Sequence, residues 1–161
     1  MTISVGSKLP EATFKIMTAD GPTNITTKEI FSGKTVAAFA VPGAFTPTCH
    51  AKHVPGFLDK MDALKSKGVD EVVCIAVNDH FVLNAWAKDT GAKDKIRFLA
   101  DSGAEFTKAI GMEFDASAGG LGTRSRRYAM LVKDGVVKAL NIEDAPGKAE
   151  ISSAENLLKS L

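Results

Sequence analysis

The chain has 161 residues, 45% of them apolar and 24% charged, with 20 basic and 19 acidic side chains and a formal net charge of +1. That length suits one domain, expected to span residues 1–161 and to bury a real core, and a charge so near zero provides no global field to draw nucleic acid or an anionic membrane. No apolar run approaches the roughly 18 residues of a membrane span, the opening MTISVGSKLP has neither a basic start nor an apolar run, and two cysteines are too few for a disulfide framework, so a reducing compartment, taken as the cytoplasm, is expected.

Residues Ala12–Met17 and Pro22–Ile25 flank the turn dipeptide Asp20-Gly21, which predicts an N-terminal β-hairpin. Thr26-x-x-Glu29 is a capping-box pattern for a short helix through Phe31 that ends at Gly33. Thr35 to Ala40 are uncharged and apolar or β-branched, as in a strand buried on both faces of a mainly parallel sheet, and Val41 extends the run. Pro42 and Gly43 stop it. Thr46-Pro47 then reads as the N-cap and first residue of a helix, which puts Cys49 in the first turn. Unpaired N–H groups and the positive end of the helix dipole favour a thiolate there. Val54, Phe57, Leu58, Met61 and Leu64 continue that helix as an apolar stripe, and Pro55 is expected to kink it.

Glu71–Val77 is a second buried strand with Cys74 at its middle, and Asn78-Asp79 caps a helix from about His80 to Lys88. Ile96–Ala100 is a third strand. Ser102-x-x-Glu105 predicts another capping box, for a helix closed by Gly111. Phe114 to Arg126 shows no periodicity. Tyr128–Val132 and Val136–Leu140 flank Asp134-Gly135, a strong hairpin signal, and Ser152-x-x-Glu155 is expected to cap a last helix with Ile151, Leu157, Leu158 and Leu161 on one side. This order predicts an α/β, thioredoxin-like fold: a central mixed β-sheet flanked by helices, with an N-terminal β-hairpin.

An ordinary thiol has a pKa of about 8.5, so little of it is thiolate at neutral pH. A helix N-terminus supplies roughly 0.3–1 kcal/mol, less than the about 1.36 kcal/mol of one pKa unit. A guanidinium about 4 Å away is worth on the order of 4 kcal/mol at an effective dielectric of about 20, before desolvation. A basic partner for Cys49 is therefore expected. Arg124, Arg126 and Arg127, at the start of a predicted strand, are the candidates. They also fit a solvated cluster beside a glycine loop, and composition does not choose among them. Cys49 and His53 lie four apart on one helical face, compatible with a Cys–His base pair or with metal ligands, although no further ligands follow at zinc-like spacing. Phe45, Phe81 and Trp86 fit either a contact surface or the core.

The run Pro42-x-x-x-Thr46-x-x-Cys49, within VPGAFTPTC, resembles the peroxidatic motif of peroxiredoxins. HVPGF, FLADSGAEFTKAIG, GLGTRSRRYAMLV and DGVVKALNIE resemble the type II, peroxiredoxin-five-like group, so the similarity covers nearly the whole chain. It implies a Cys-dependent peroxidase for hydrogen peroxide and small alkyl hydroperoxides that uses no metal, flavin or haem. Cys49 corresponds to the peroxidatic cysteine, Pro42 to the residue that shields it, and Thr46 to the hydroxyl that bonds sulfur and peroxide. Arg127 matches the arginine that holds the thiolate, with Arg124 as second choice.

The resemblance further implies a homodimer formed through the loops around the site, involving Phe45 and the Asn78 to Phe81 segment. It also implies recycling by glutathione and glutaredoxin or by thioredoxin. Some relatives carry a resolving cysteine before the last helix, but AEISSAENLL has none, which leaves Cys74 as the one internal candidate. Mid-strand, Cys74 equally fits an inert apolar filler, and external resolution is preferred. A redox-sensing module that reacts once per molecule is the competing function. A dithiol reductase is disfavoured, because Cys49 is followed by HAK rather than completing C-x-x-C.

Overall fold

The computed structural model describes residues 2–161. The N-terminal hairpin forms as expected from β1 (Thr13–Thr18) and β2 (Gly21–Thr26), and α1 (Thr27–Phe31) follows with the complete Thr26/Glu29 capping box. β3 (Thr35–Val41) runs parallel to β4 (Glu71–Ala76), which runs parallel to β5 (Arg97–Ala100). β8 (Tyr128–Lys133) pairs antiparallel with β3 and with β9 (Val136–Ile142). The seven-stranded order is β2-β1-β5-β4-β3-β8-β9, a mixed sheet with an antiparallel hairpin at each edge. At the second hairpin Asp134 and Gly135 take φ of 48° and 77°, the left-handed pair that a tight two-residue turn requires.

Strand alternation divides the core into two layers. Ala37, Phe39, Val41, Cys74 and Ala76 point to one face, covered by α2 (Val54–Asp59), α3 (Met61–Ser66), α4 (His80–Asp89) and α6 (Ala154–Leu158). Val36, Ala38, Ala40, Val73 and Ile75 point to the other, covered by α1 and α5 (Glu105–Ala109). β3 is buried on both faces and ends at the functional site.

Local departures from the sequence reading have tertiary causes. The N-cap of α5 is Ala104 at φ 58°, not Ser102; the buried Asp101 carboxylate accepts from Phe106 N, Thr107 N and Thr107 Oγ1 and does the capping from further back. The cap of α6 is Ser153, one residue later than expected, because the Ser152 hydroxyl is taken by the Glu143 carboxylate at 2.6 Å. Within the aperiodic stretch, β6 (Glu113–Asp115) and β7 (Thr123–Ser125) pair as a separate two-stranded ribbon. Asp79 does cap α4, but Asn78 turns back to accept from Ala44 N. Among the described residues no helix is long and apolar enough to cross a membrane.

Candidate active site

β3 delivers the chain to Pro42 and Gly43, both buried. The bend that follows is held from two sides: Ala44 N donates to Asn78 Oδ1 at 3.0 Å, and Arg124 Nη1 donates to Pro42 O at 3.1 Å. Gly43 makes that close approach possible, since a Cβ there would lie 2.4 Å from Arg124 Nη1. The helix then begins at Pro47, as its ring favours, but Cys49–His53 form a π turn in which Val54 N–H bonds Cys49 O. Pro55 is the local cause. It lacks the N–H that an α-helix would direct at Ala51 O, and the expected kink takes the form of this wider turn. The turn rests on an aromatic floor: Phe39 stacks on Phe57 at 4.2 Å, and His53 lies 4.8 Å from Phe39.

Cys49 is fully buried. Its Sγ lies 2.9 Å from Thr46 Oγ1 and 3.0 Å from Arg127 Nη2. The Thr46 hydroxyl also lies 2.7 Å from Gly43 O, and it has one proton to give. With a thiolate that proton goes to sulfur; with a thiol it goes to Gly43 O and S–H donates to Thr46. Arg127 further donates from Nε and Nη2 to Pro146 O, at 3.2 and 2.9 Å, and from Nη1 to His53 Nδ1 at 3.0 Å. Of the three candidate arginines, Arg127 reaches the sulfur, Arg124 bonds Pro42 O, and Arg126 is exposed. Cys74 lies on the same face of the sheet as Cys49, buried in β4 between Phe39 of β3 and Phe98 of β5, and both thiols are free.

His53 is not a base for Cys49. Both ring nitrogens are engaged, Nδ1 accepting from Arg127 and Nε2 donating to Ser152 O at 2.9 Å. Burial, then the Arg127 charge, push its pKa from the ordinary 6.5 down to about 3, against the opposing Ser152 bond and Glu143 charge. The folded ring is neutral where the unfolded ring would already be protonated, so below pH 6.5 the unfolded chain binds more protons. The stability held in the neutral ring is complete above that pH and is lost as pH falls towards 3. We expect thermal melts of wild type to weaken from about pH 6.5 downwards by up to about 1.4 kcal/mol per pH unit relative to His53→Leu. Parallel curves for the two proteins would remove this account.

Residues 143–153 complete the site, and sequence reading missed them. Pro146 O receives Arg127, Gly147 O receives Thr48 Oγ1, and Ser152 O receives His53. Nothing local in the sequence marks a carbonyl as an arginine acceptor. Trp86 is core, its Nε1 donating to His50 Nδ1 at 3.0 Å, whereas Phe45 (49% exposed, φ 63°) and Phe81 (64%) face solvent.

A sheet of this topology, with a buried thiol bonded by a hydroxyl and a guanidinium at the end of its central strand, defines a thioredoxin-fold thiol protein. The Redoxin family model matches residues 4–158. Peroxiredoxin-2E, chloroplastic, of Arabidopsis thaliana is 51% identical, over 99% of this chain and 70% of its own. Peroxiredoxin-2E-2, chloroplastic, of Oryza sativa subsp. japonica is 50% identical, over 99% of this chain and 73% of its own. Among solved structures, reduced Prx3 of Vibrio vulnificus in complex with hydrogen peroxide is 47% identical, with a TM-score of 0.93 and 99% of each chain covered. The chain belongs to the redoxin family and, within it, to the type II, peroxiredoxin-five-like peroxiredoxins. It is an enzyme, a thiol-dependent peroxidase recycled by thiol reductants.

The expected cytoplasmic location is corrected by the same relatives. Those at 51% and 50% identity are named chloroplastic, and Peroxiredoxin-2F of Arabidopsis thaliana, 45% identical over 81% of this chain and 65% of its own, is named mitochondrial. With relatives so named, the cytoplasmic expectation does not stand. Two free thiols call for reducing surroundings, and that argument never distinguished the cytoplasm from a reducing organelle interior.

Proposed function

We propose that Cys49 is the peroxidatic nucleophile of a single-domain enzyme, with Thr46 and Arg127 as its donors, Pro42 as its shield and Arg124 as the brace of the Pro42–Gly43 bend. The observation that carries this reading is the convergence of Thr46 Oγ1 and Arg127 Nη2 on Sγ, at 2.9 and 3.0 Å. The thiolate attacks the terminal oxygen of a hydroperoxide, and the O–O bond breaks. Its electron pair leaves on the distal oxygen, which is protonated to water or an alcohol, while Cys49 keeps one oxygen as sulfenic acid. Fixed donors beside the sulfur stabilise the charge as it shifts to the leaving oxygen. Burial of the sulfur favours small peroxides, hydrogen peroxide and short alkyl hydroperoxides, and the hydrogen peroxide complex of the Vibrio vulnificus relative supports that class.

The test is peroxide consumption with glutathione plus glutaredoxin or with thioredoxin, Cys49→Ser serving as blank. Many turnovers per wild-type molecule are expected; one equivalent consumed and then silence would instead make the chain a redox sensor.

For recycling we favour glutathione and glutaredoxin over an internal disulfide. Burial foremost, then the neighbouring Cys49, push the Cys74 thiol well up despite Arg127, so it stays protonated. Bridging would also need Cα atoms within about 7 Å, and the turn carrying Cys49 would have to unwind to bring its sulfur to a strand. Cys74→Ser is expected to keep wild-type turnover with glutathione and glutaredoxin. A folded Cys74→Ser protein without turnover, or a Cys49–Cys74 bridge as the main product of stoichiometric oxidation, would reverse the preference.

We further propose a homodimer through the face carrying Phe45 and Phe81. Exposed aromatics beside the site, one of them held at positive φ, support it. Light scattering at micromolar concentration should give twice the 17.0 kDa chain mass; the monomer mass rejects the dimer.

A further inference from the structure

We propose that His53 is a positioning residue for peroxide reduction: its unprotonated Nδ1 fixes the plane of the Arg127 guanidinium against the Cys49 sulfur. The proposal rests on the reading of Cys49 and Arg127 given above. Without His53 the guanidinium would be anchored to the main chain only along its Nε/Nη2 edge, through Pro146 O, with the second Nη2 proton given to the sulfur. A planar fork held along one edge can swing about it. The bond from Nη1 to His53 Nδ1, at 3.0 Å, ties the opposite corner and removes that freedom.

His53 is itself held from behind. Its Nε2 donates to Ser152 O at 2.9 Å, and the Ser152 amide and hydroxyl both donate to Glu143 Oε2, at 2.7 and 2.6 Å. Ile151 N donates to Glu143 Oε1 at 3.2 Å, and Glu143 N donates to Arg127 O at 2.9 Å, so the support returns to the backbone of the arginine it serves. A purely structural side chain in this place, packed against the stacked rings of Phe39 and Phe57, needs no lone pair; an apolar one would fill the space at no desolvation cost. The lone pair is kept, and it is aimed at the cation. The low pKa of His53 accords with this use, because an imidazolium there has no acceptor and repels the guanidinium.

The placement has a second consequence. Cys49 and His53 are the two ends of one π turn, so unwinding it takes both the nucleophile and the guanidinium's acceptor away from Arg127 together.

The experiment uses amide side chains of different reach. Asparagine can set its Oδ1 near the Nδ1 position and accept from Arg127, whereas glutamine reaches the Nε2 position and can keep only the Ser152 bond. Pre-reduced protein is mixed with hydrogen peroxide in a stopped-flow instrument, with circular dichroism to establish folding. His53→Gln and His53→Leu are expected to slow Cys49 oxidation about 10–100-fold, and His53→Asn to recover about tenfold of that loss. In an Arg127→Gln background, His53→Leu should slow the reaction no further.

Folded Gln and Asn variants that lose the same amount, or a folded Gln variant within twofold of wild type, overturn the proposal. So does a further loss in the Arg127→Gln background as large as that in wild type. Should His53→Leu fail to fold, the Gln and Asn pair still decides. Failure of the underlying reading looks different: wild type itself would consume no peroxide, or Cys49→Ser would still consume it.

Discussion

Exchanging Arg127 for glutamine is expected to slow oxidation of Cys49 by hydrogen peroxide about 10²–10³-fold, the usual cost of deleting one fixed donor to developing charge. The expected loss is large because the guanidinium is already built in. Pro146 O and His53 Nδ1 hold it 3.0 Å from the sulfur, so no reorganisation is needed when charge moves to the leaving oxygen. Arg127→Lys should rescue little, since one ammonium cannot bond sulfur, Pro146 and His53 from three nitrogens in a plane. Arg124→Gln, which removes a brace from Pro42 O rather than a contact to sulfur, should cost less than tenfold. Stopped-flow rates for the three variants decide the matter: equal, small losses at positions 124 and 127 would remove Arg127 from the role of sulfur partner.

The second large effect is on stability. Phe39→Ala should destabilise the fold by about 3–5 kcal/mol, lowering the melting temperature by about 6–20 °C at the roughly 2–4 °C per kcal/mol of a chain this size. Phe39 is fully buried, stacks on Phe57 at 4.2 Å with 7° between the rings, and touches the His53 ring. Removing it takes away the floor of the π turn, so the peroxide rate should fall as well, measured well below the melting temperature. Phe14 is the control. It is equally buried on the opposite face of the sheet, against Phe106, and Phe14→Ala should lower stability comparably while leaving the rate alone. A Phe39→Ala protein that loses stability but keeps the wild-type rate would break this link between core and site.

Where the chemistry of a segment is local, it was legible in the sequence. The β3 run, the Pro42-Gly43 stop, the Pro47 helix start and the Asp134-Gly135 turn each follow from the φ range or side-chain pattern of the residues themselves. The choice between neighbouring caps was not. Ser152 and Ser153 are the same residue type, and what assigns the cap to Ser153 is a carboxylate nine residues upstream of Ser152. Asp101 displaces Ser102 in the same way, through a buried carboxylate that reaches over the turn. In the site, Cys49 and Thr46 sit three residues apart, and the hydroxyl reaches the sulfur across one turn. Arg127 lies 78 residues further along, and composition alone could not separate it from Arg124. That separation came from family resemblance and is explained by the antiparallel pairing of β8 with β3, which starts at the residue after Arg127. The carbonyls of Pro146 and Ser152 were invisible, because every residue has one.

The π turn fixes an angular relation between two parts of one helical segment. Relative to a regular α-helix it carries an extra residue, and each residue of a regular helix advances about 100° around the axis. The stripe of Val54, Phe57, Met61 and Leu64 is locked to the sheet by burial. Cys49 therefore gets its heading from the widened turn, not from that stripe. Deleting one residue between His50 and Lys52 would regularise the winding, leave the packed stripe where it is, and swing the sulfur by about a quarter of a revolution away from Arg127.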